Sequence, residues 1–461
     1  MVALSVGKKR KLGALSSMLA KTIGVVSLVA ILASCGTSPG YSYTVGGTVI
    51  GMIGSNIVLQ NNSGDDRSLS ANGAFSFPTP LSDTSAYTIT VKTQPTTPSQ
   101  ICTVNNGTGT INGEPAGDVV VNCMTGSASI AFSSSGAAEF AYVAKTNGTI
   151  SDGTISAYAI NTTNGTLSPL GTPVAAGKFP ASITVAGGFA YVANMSDNTI
   201  SAYTISMTDW TLSPLGTPIA AGRYPTSVTV DLSGKFAYVA NMGDNTISAY
   251  TISGGALTAI GSPVSTGMSP VSIVTVSVGS LGEFAYVANM GDGSIWTYSI
   301  NLTKGTLQPL SSIIAGASPT SVTVDPSRQQ FAYVTNEGDN TISAYTISGG
   351  TLAASTITPT VTAGTNPTSI VTVSVGSSVF AYATNTSGCT ISAYSIGTDG
   401  SLNELTAIGS PFSTGTGTYP TSITVDPSGK FAYVVNTGDG SIWAYSINQS
   451  TGALGTPFKV L

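Results

Sequence analysis

A chain of 461 residues with 54 Gly and 8 % charged side chains has room for two or three domains, and its abundance of Thr, Ser and Val reads as all-β. It contains no histidine, which removes imidazole metal sites and any Ser-His-Asp or Cys-His arrangement. The formal net charge of −5 repels phosphate backbones and argues against nucleic acid as a partner.

The first 34 residues read as an export signal. Lys8, Lys9, Arg10 and Lys11 form a basic start, an apolar run extends from Thr22 to Ala33, and Leu32-Ala33-Ser34-Cys35 closes the segment. That run is short for a bilayer span. The LASC tetrapeptide resembles the bacterial lipobox, which implies cleavage before Cys35 and its lipidation, with residues 35–40 left as a linker. Gly36 after the Cys resembles the outer-membrane sorting pattern. The expectation is an exported chain held by lipid at Cys35, at the outer membrane or cell surface, with the periplasmic side as the alternative. Residues 1–34 carry five basic and no acidic side chains, so the remainder has 10 against 20, a net charge of about −10. Attachment therefore rests on the lipid and not on anionic headgroups.

Residues 41–124 carry short alternating runs, YTVGGTVI, NIVLQNN, AFSFPTP, AYTITVKTQ and DVVVNC, separated by turn clusters such as NNSGDD and SANG. This pattern predicts a small antiparallel β-sandwich. It resembles the immunoglobulin-like and transthyretin-like modules of bacterial surface lipoproteins, which implies a stalk role or carbohydrate binding. Cys102 and Cys123 lie near the ends of strand-like runs in an exported segment, and a disulfide between them is expected. Cys389 is left over and reads as a buried inert thiol, because no histidine is present to activate it.

From residue 125 to 461 one sentence is repeated. The triplet FAY begins at Phe140, Phe189, Phe236, Phe284, Phe331, Phe380 and Phe431, at intervals of 47 to 51 residues. Seven copies of a four-strand unit predict a seven-bladed β-propeller. In one copy the strands are TSVTVD (226–231), FAYVAN (236–241), TISAYTI (246–252) and a last strand around LTAIGSPVS (257–265). DLSGK and GDN supply the turns. Alternation places Phe236 and Tyr238 on one face and Ala237 and Val239 on the other, so a large face can nest against a small one around a ring.

FAYVTNEGDNTISAY, from Phe331 to Tyr345, resembles the YVTN family and, more broadly, the bacterial lactonase-type propellers that include 6-phosphogluconolactonase. The resemblance implies the propeller fold over residues 130–461 and a pocket at its mouth with His, Arg and acidic groups. No His is present to match, and the propeller holds only Arg223 and Arg328, so the family's catalytic residues are not carried over.

Two loop sets are expected to share the mouth: Lys178, Phe179, Arg223, Tyr224 and Tyr419 from one, Asp197, Asp244, Asp292, Asp339 and Asp439 from the other. Cations and aromatics beside carboxylates could grip a glycan, a peptide or a metal, while the same acids serve as hairpin turn residues. No D-x-D-x-D-G loop is present, and neither metal nor cofactor is expected. The preferred expectation is a non-catalytic binding or structural platform for a surface protein or glycan. The alternative is a lactonase-like hydrolase whose base is an acid raised by burial, with Lys178 or Arg223 stabilising an anion. A concave pocket with convergent polar groups and a perturbed acid would favour the alternative; a shallow face would favour the platform.

Overall fold

The structure, a computed structural model, describes residues 41–52, 56–95, 100–125, 128–146, 153–355 and 359–461. Cys35 and the segment before it lie outside these residues.

The described part of residues 41–125 forms two four-stranded sheets around one core. One runs in the order Gly73–Ser76, Val45–Ile50, Ala116–Thr125, Gln100–Asn105, the other Asp65–Leu69, Ile57–Asn61, Ala86–Thr93, Thr108–Thr110. Val45, Val49, Ile57, Leu59, Phe75, Val119 and Val121 fill the core. Ile57 and Leu59 are buried while Val58 and Gln60 between them are half-buried, as period-two alternation requires. One pairing departs from the antiparallel expectation: Val45–Ile50 runs parallel to Ala116–Thr125. These strands are far apart in sequence and are joined through the other sheet, so no hairpin dictates their direction. Cys123 lies directly opposite Cys102 in an antiparallel pairing, and the two form the expected disulfide.

Seven sheets follow, each built from consecutive strands, so no blade borrows a strand from the other terminus. The first strands line the axis, and Ala128–Ser135 of blade one touches both Pro180–Ala186 of blade two and Pro420–Val425 of blade seven. The seven-bladed propeller is thus closed. Large and small faces nest as the alternation predicts: Phe236 and Tyr238 of blade three pack with Ala285 and Val287 of blade four, while Ala237 and Val239 receive Tyr191 of blade two.

This nesting relies on a glycine in the turn between the third and fourth strands. Tyr238 donates its hydroxyl to the Gly305 carbonyl of the next blade at 3.0 Å, and a Cβ on Gly305 would lie 2.2 Å from the Phe236 ring. Only Gly admits that approach, and its φ of +69° is one that L side chains rarely adopt. The same hydroxyl-to-glycine bond joins Tyr286 to Gly350, Tyr333 to Gly400, Tyr382 to Gly452 and Tyr433 to Gly165. Blade two breaks the rule. Trp210 takes the glycine position with φ +61° and stacks on Phe140 at 4.1 Å.

The outer strand is less regular than the sequence implies. In blade three it splits into Ala256–Ala259 and Val264–Ser265, both paired to Thr246–Ser253. Gly261, at φ +58°, and Pro263, which lacks an N–H, interrupt the ladder between them.

Candidate functional site

The inner strands carry a device that alternation alone conceals. In blade three, Pro225 pairs with Asn241 but Ser227 pairs with Ala240, so Thr226 is an extra residue; the same shift follows Pro180, Pro270, Pro319, Pro367 and Pro420. A bulge re-aims side chains. Two successive residues, such as Thr226 and Ser227 or Thr320 and Ser321, therefore both face the axis and line a cavity of about 330 Å³.

A ring of serines forms the waist of that cavity: Ser129, Ser182, Ser227, Ser272, Ser321, Ser369 and Ser422, one from each blade. The first six each accept a backbone N–H from the following blade at 3.2–3.3 Å, beginning with Ile183 onto Ser129 and ending with Ile423 onto Ser369. Their oxygens are thereby fixed, and each hydroxyl proton has no acceptor among the described residues. The neighbouring threonines are committed to the scaffold: Thr226, Thr320 and Thr368 donate to the carbonyls of Pro270, Pro367 and Pro420.

Above this ring sits the residue that follows the Asn of each second strand. Met195, Met242, Met290, Glu337, Thr386 and Thr437 occupy that position in blades two to seven. Glu337 lines the cavity, is 5 % exposed, and its carboxyl makes no hydrogen bond to any described residue. Burial pushes it up to about 7. Glu337 was not among the residues singled out from the sequence, although it lies inside the quoted FAYVTNEGDN. The signal was an acid where three other copies place Met.

The segment expected to act as a stalk instead lies over this mouth. Gly51, Gln100 and Cys123 line the same cavity, and Asn105 donates its side-chain amide to the Ser269 hydroxyl of the loop entering blade four at 2.7 Å. The unit is docked on the ring. The loop residue before the inner-strand Pro is Phe179, Tyr224 or Tyr419 in three blades and Ser269, Ser318 or Asn366 in three others, and Asn105 meets the first of these smaller side chains.

None of the ten residues expected on the ligand face lines the cavity. The acids are clamps. Asp197, Asp244, Asp292 and Asp339 accept the backbone N–H of Lys178, Arg223, Met268 and Ala317 at 2.6–2.9 Å, which ties each second hairpin to the loop entering its own blade. Asp439 caps its own hairpin through the N–H and hydroxyl of Ser441. Arg223 also pairs with Asp244 at 2.8 Å, but both side chains are exposed and the pair contributes little. Phe179 is buried against Met195 and Met242, with Tyr224 partly covered beside it. Phe179, Tyr224 and Tyr419 all have positive φ (+51°, +53° and +48°), so their role is to turn the chain into the following Pro.

Cys389 is half-buried and not fully buried, at φ +50° in the hairpin position that Asn198, Asn245 and Asn340 fill elsewhere. Arg328 lies in an inner turn, donating to the Gly397 carbonyl at 2.9 Å, and does not line the cavity. Among the described residues no group of three or more His, Cys, Asp or Glu side chains is placed to hold a metal ion.

Several solved structures share this architecture. A Bacteroides fragilis protein provisionally named a 6-phosphogluconolactonase is 22 % identical with a TM-score of 0.59, over 70 % of this chain and 95 % of that one. A Lactobacillus plantarum protein is 23 % identical with a TM-score of 0.57, over 67 % and 92 %. The periplasmic gluconolactonase of Pseudomonas aeruginosa is 16 % identical with a TM-score of 0.57, over 69 % and 94 %. At these identities the likeness is one of fold. No curated protein matches the chain. The model of the family described as "Lactonase, 7-bladed beta-propeller" matches residues 118–209 and 146–459, and the chain belongs to that family.

Proposed function

We propose that this protein hydrolyses lactones in the axial cavity, with Glu337 as general base. The observation that carries this reading is a single buried carboxyl, without a hydrogen bond to any described residue, facing a cavity otherwise lined mostly by hydroxyls and small side chains. A concave pocket with convergent polar groups and a perturbed acid separates an enzyme from a shallow binding platform, and family membership weighs the same way. The platform and its glycan or protein partner are accordingly set aside.

The step needs no histidine. Glu337 takes a proton from water as the water oxygen bonds to the acyl carbon, and serine hydroxyls of the ring donate to the oxyanion that develops. Collapse breaks the ring C–O bond, and the proton held by Glu337 passes to the departing alkoxide, so lactone and water give one hydroxy acid. The Lys178 and Arg223 cations envisaged as anion stabilisers lie outside the cavity and take no part. We place this activity outside the cytoplasm, with the chain lipid-anchored at Cys35, on the strength of the basic start, apolar run and LASC motif.

The test is turnover of a lactone panel by the wild type and Glu337→Gln, with thermal unfolding of both as the folding control. Loss of about 10²–10⁴-fold in kcat/KM with the fold retained is expected. Equal rates, or no wild-type turnover above buffer, would overturn the reading.

A further inference from the structure

The cavity is bounded by two parts of the chain, and its lining is electrostatically one-sided. Among the described residues that line it, Glu337 is the only charged side chain and none is Lys or Arg. A phosphate entering a low-dielectric space beside a lone carboxylate meets repulsion and finds no cation to offset its desolvation. An uncharged ligand rich in hydroxyl and carbonyl oxygens meets the serine ring, whose protons lack acceptors. The volume of about 330 Å³ is at the small end of small-molecule sites.

The upper wall comes from the N-terminal unit and is closely fitted. Gly51 has φ +71°, and a Cβ there would lie 2.4 Å from the Cys123 carbonyl oxygen and 3.0 Å from the Met290 methyl of blade four. Gln100 is buried and donates to the Gly51 carbonyl at 2.8 Å. Asn105 and Ser269 then join wall to ring through a buried bond.

We infer that the N-terminal unit is the roof of a composite site that takes one small, uncharged polyhydroxy lactone and rejects its phosphorylated counterpart. This rests on the reading of the axial cavity as the ligand site, but it is tested by binding as well as by turnover. Specificity here is a difference of two affinities, set against phosphate by the lone acid and the absence of a cation in the lining. The roof closes the mouth through Asn105 and Ser269, so loosening that bond weakens capture of the uncharged ligand without touching the hydroxyl ring.

The experiment is calorimetric titration of the full chain with gluconolactam and with 6-phosphogluconolactam, which resist hydrolysis. We expect the uncharged lactam to bind at least about tenfold more tightly, and Glu337→Gln to narrow that gap. Asn105→Ala and Ser269→Ala remove the same bond from opposite sides, and each is expected to weaken lactam binding by about three- to tenfold, with the ring's thermal transition unchanged. Equal or tighter binding of the phosphorylated lactam, binding of neither, or no effect of either roof variant would overturn the inference. Lactam binding without lactone turnover would sink the hydrolase reading alone; preferred turnover of phosphorylated lactone would sink this inference and leave hydrolysis standing.

Discussion

Tyr433 of blade seven donates its hydroxyl to the Gly165 carbonyl of blade one at 2.9 Å, across 268 residues of chain. This is the same bond that links other successive blades, used here to close the ring. Closure packs the first strand of blade one against its neighbours on both sides, so the ring has no free inner edge.

Tyr433→Phe is expected to cost about 1–3 kcal/mol, because it leaves a buried carbonyl without its donor. Tyr191 is the internal control. Its hydroxyl is buried without a partner, so Tyr191→Phe should be neutral or slightly stabilising. Urea unfolding of the two variants checks the contrast, and equal losses would contradict it.

Trp210 sits at a left-handed position that is glycine in the other blades, and holds it through the stack on Phe140. Trp210→Ala loses the stack and keeps the backbone strain. Trp210→Gly loses the stack but relieves the strain, and is expected to be less destabilised than the Ala variant by about 1 kcal/mol. Denaturation midpoints of the pair decide the point.

Raised acids make stability depend on pH. Burial lifts Glu337 from 4.5 to about 7. Burial, then the neighbouring Asp426 carboxylate, lifts Glu139 at the junction of blades one and seven, and burial, then Asp231, lifts Glu283. Between the ordinary carboxyl range and the raised values the folded state holds more protons than the unfolded state, so stability falls as pH rises through that window. The denaturation midpoint should be higher near pH 5 than near pH 8, and Glu139→Gln should flatten the difference.

Activity should run the other way. A general base works deprotonated, so kcat/KM is expected to rise as pH increases through about 7, the value to which burial brings Glu337, and then to level off. A rate profile that is flat from pH 5 to 9 would remove Glu337 from the role.

Breaking the Cys102–Cys123 disulfide, which closes a separation of 21 residues, is expected to cost the N-terminal unit about 3 kcal/mol on the chain-entropy model. Cys123 lines the cavity, so lactam affinity should fall along with it. Calorimetric unfolding of Cys102→Ser/Cys123→Ser should lower the transition of that unit and leave the propeller transition in place.

Much of this was legible in the chain. The FAY period sets the blade number because each repeat is a local four-strand unit, and the alternation of Phe236, Ala237, Tyr238 and Val239 sets which face meets which, because strand geometry has a period of two. The Asp and Asn of GDN mark the hairpins for equally local reasons. The aromatic and cationic loop residues expected at the mouth lie outside the axial cavity, and the backbone conformation that puts Phe179, Tyr224 and Tyr419 at positive φ is not written in residue type alone.

The site belongs to the tertiary structure. A bulge after each inner Pro breaks alternation and turns Thr and Ser together toward the axis. Closure of seven blades makes those residues a wall, and docking of Asn105 on Ser269 puts a roof above them. Glu337 is one acid among the 20 Asp and Glu residues in the sequence. Only its burial lifts its carboxyl above the ordinary range, because that property arises from the surroundings and not from the residue.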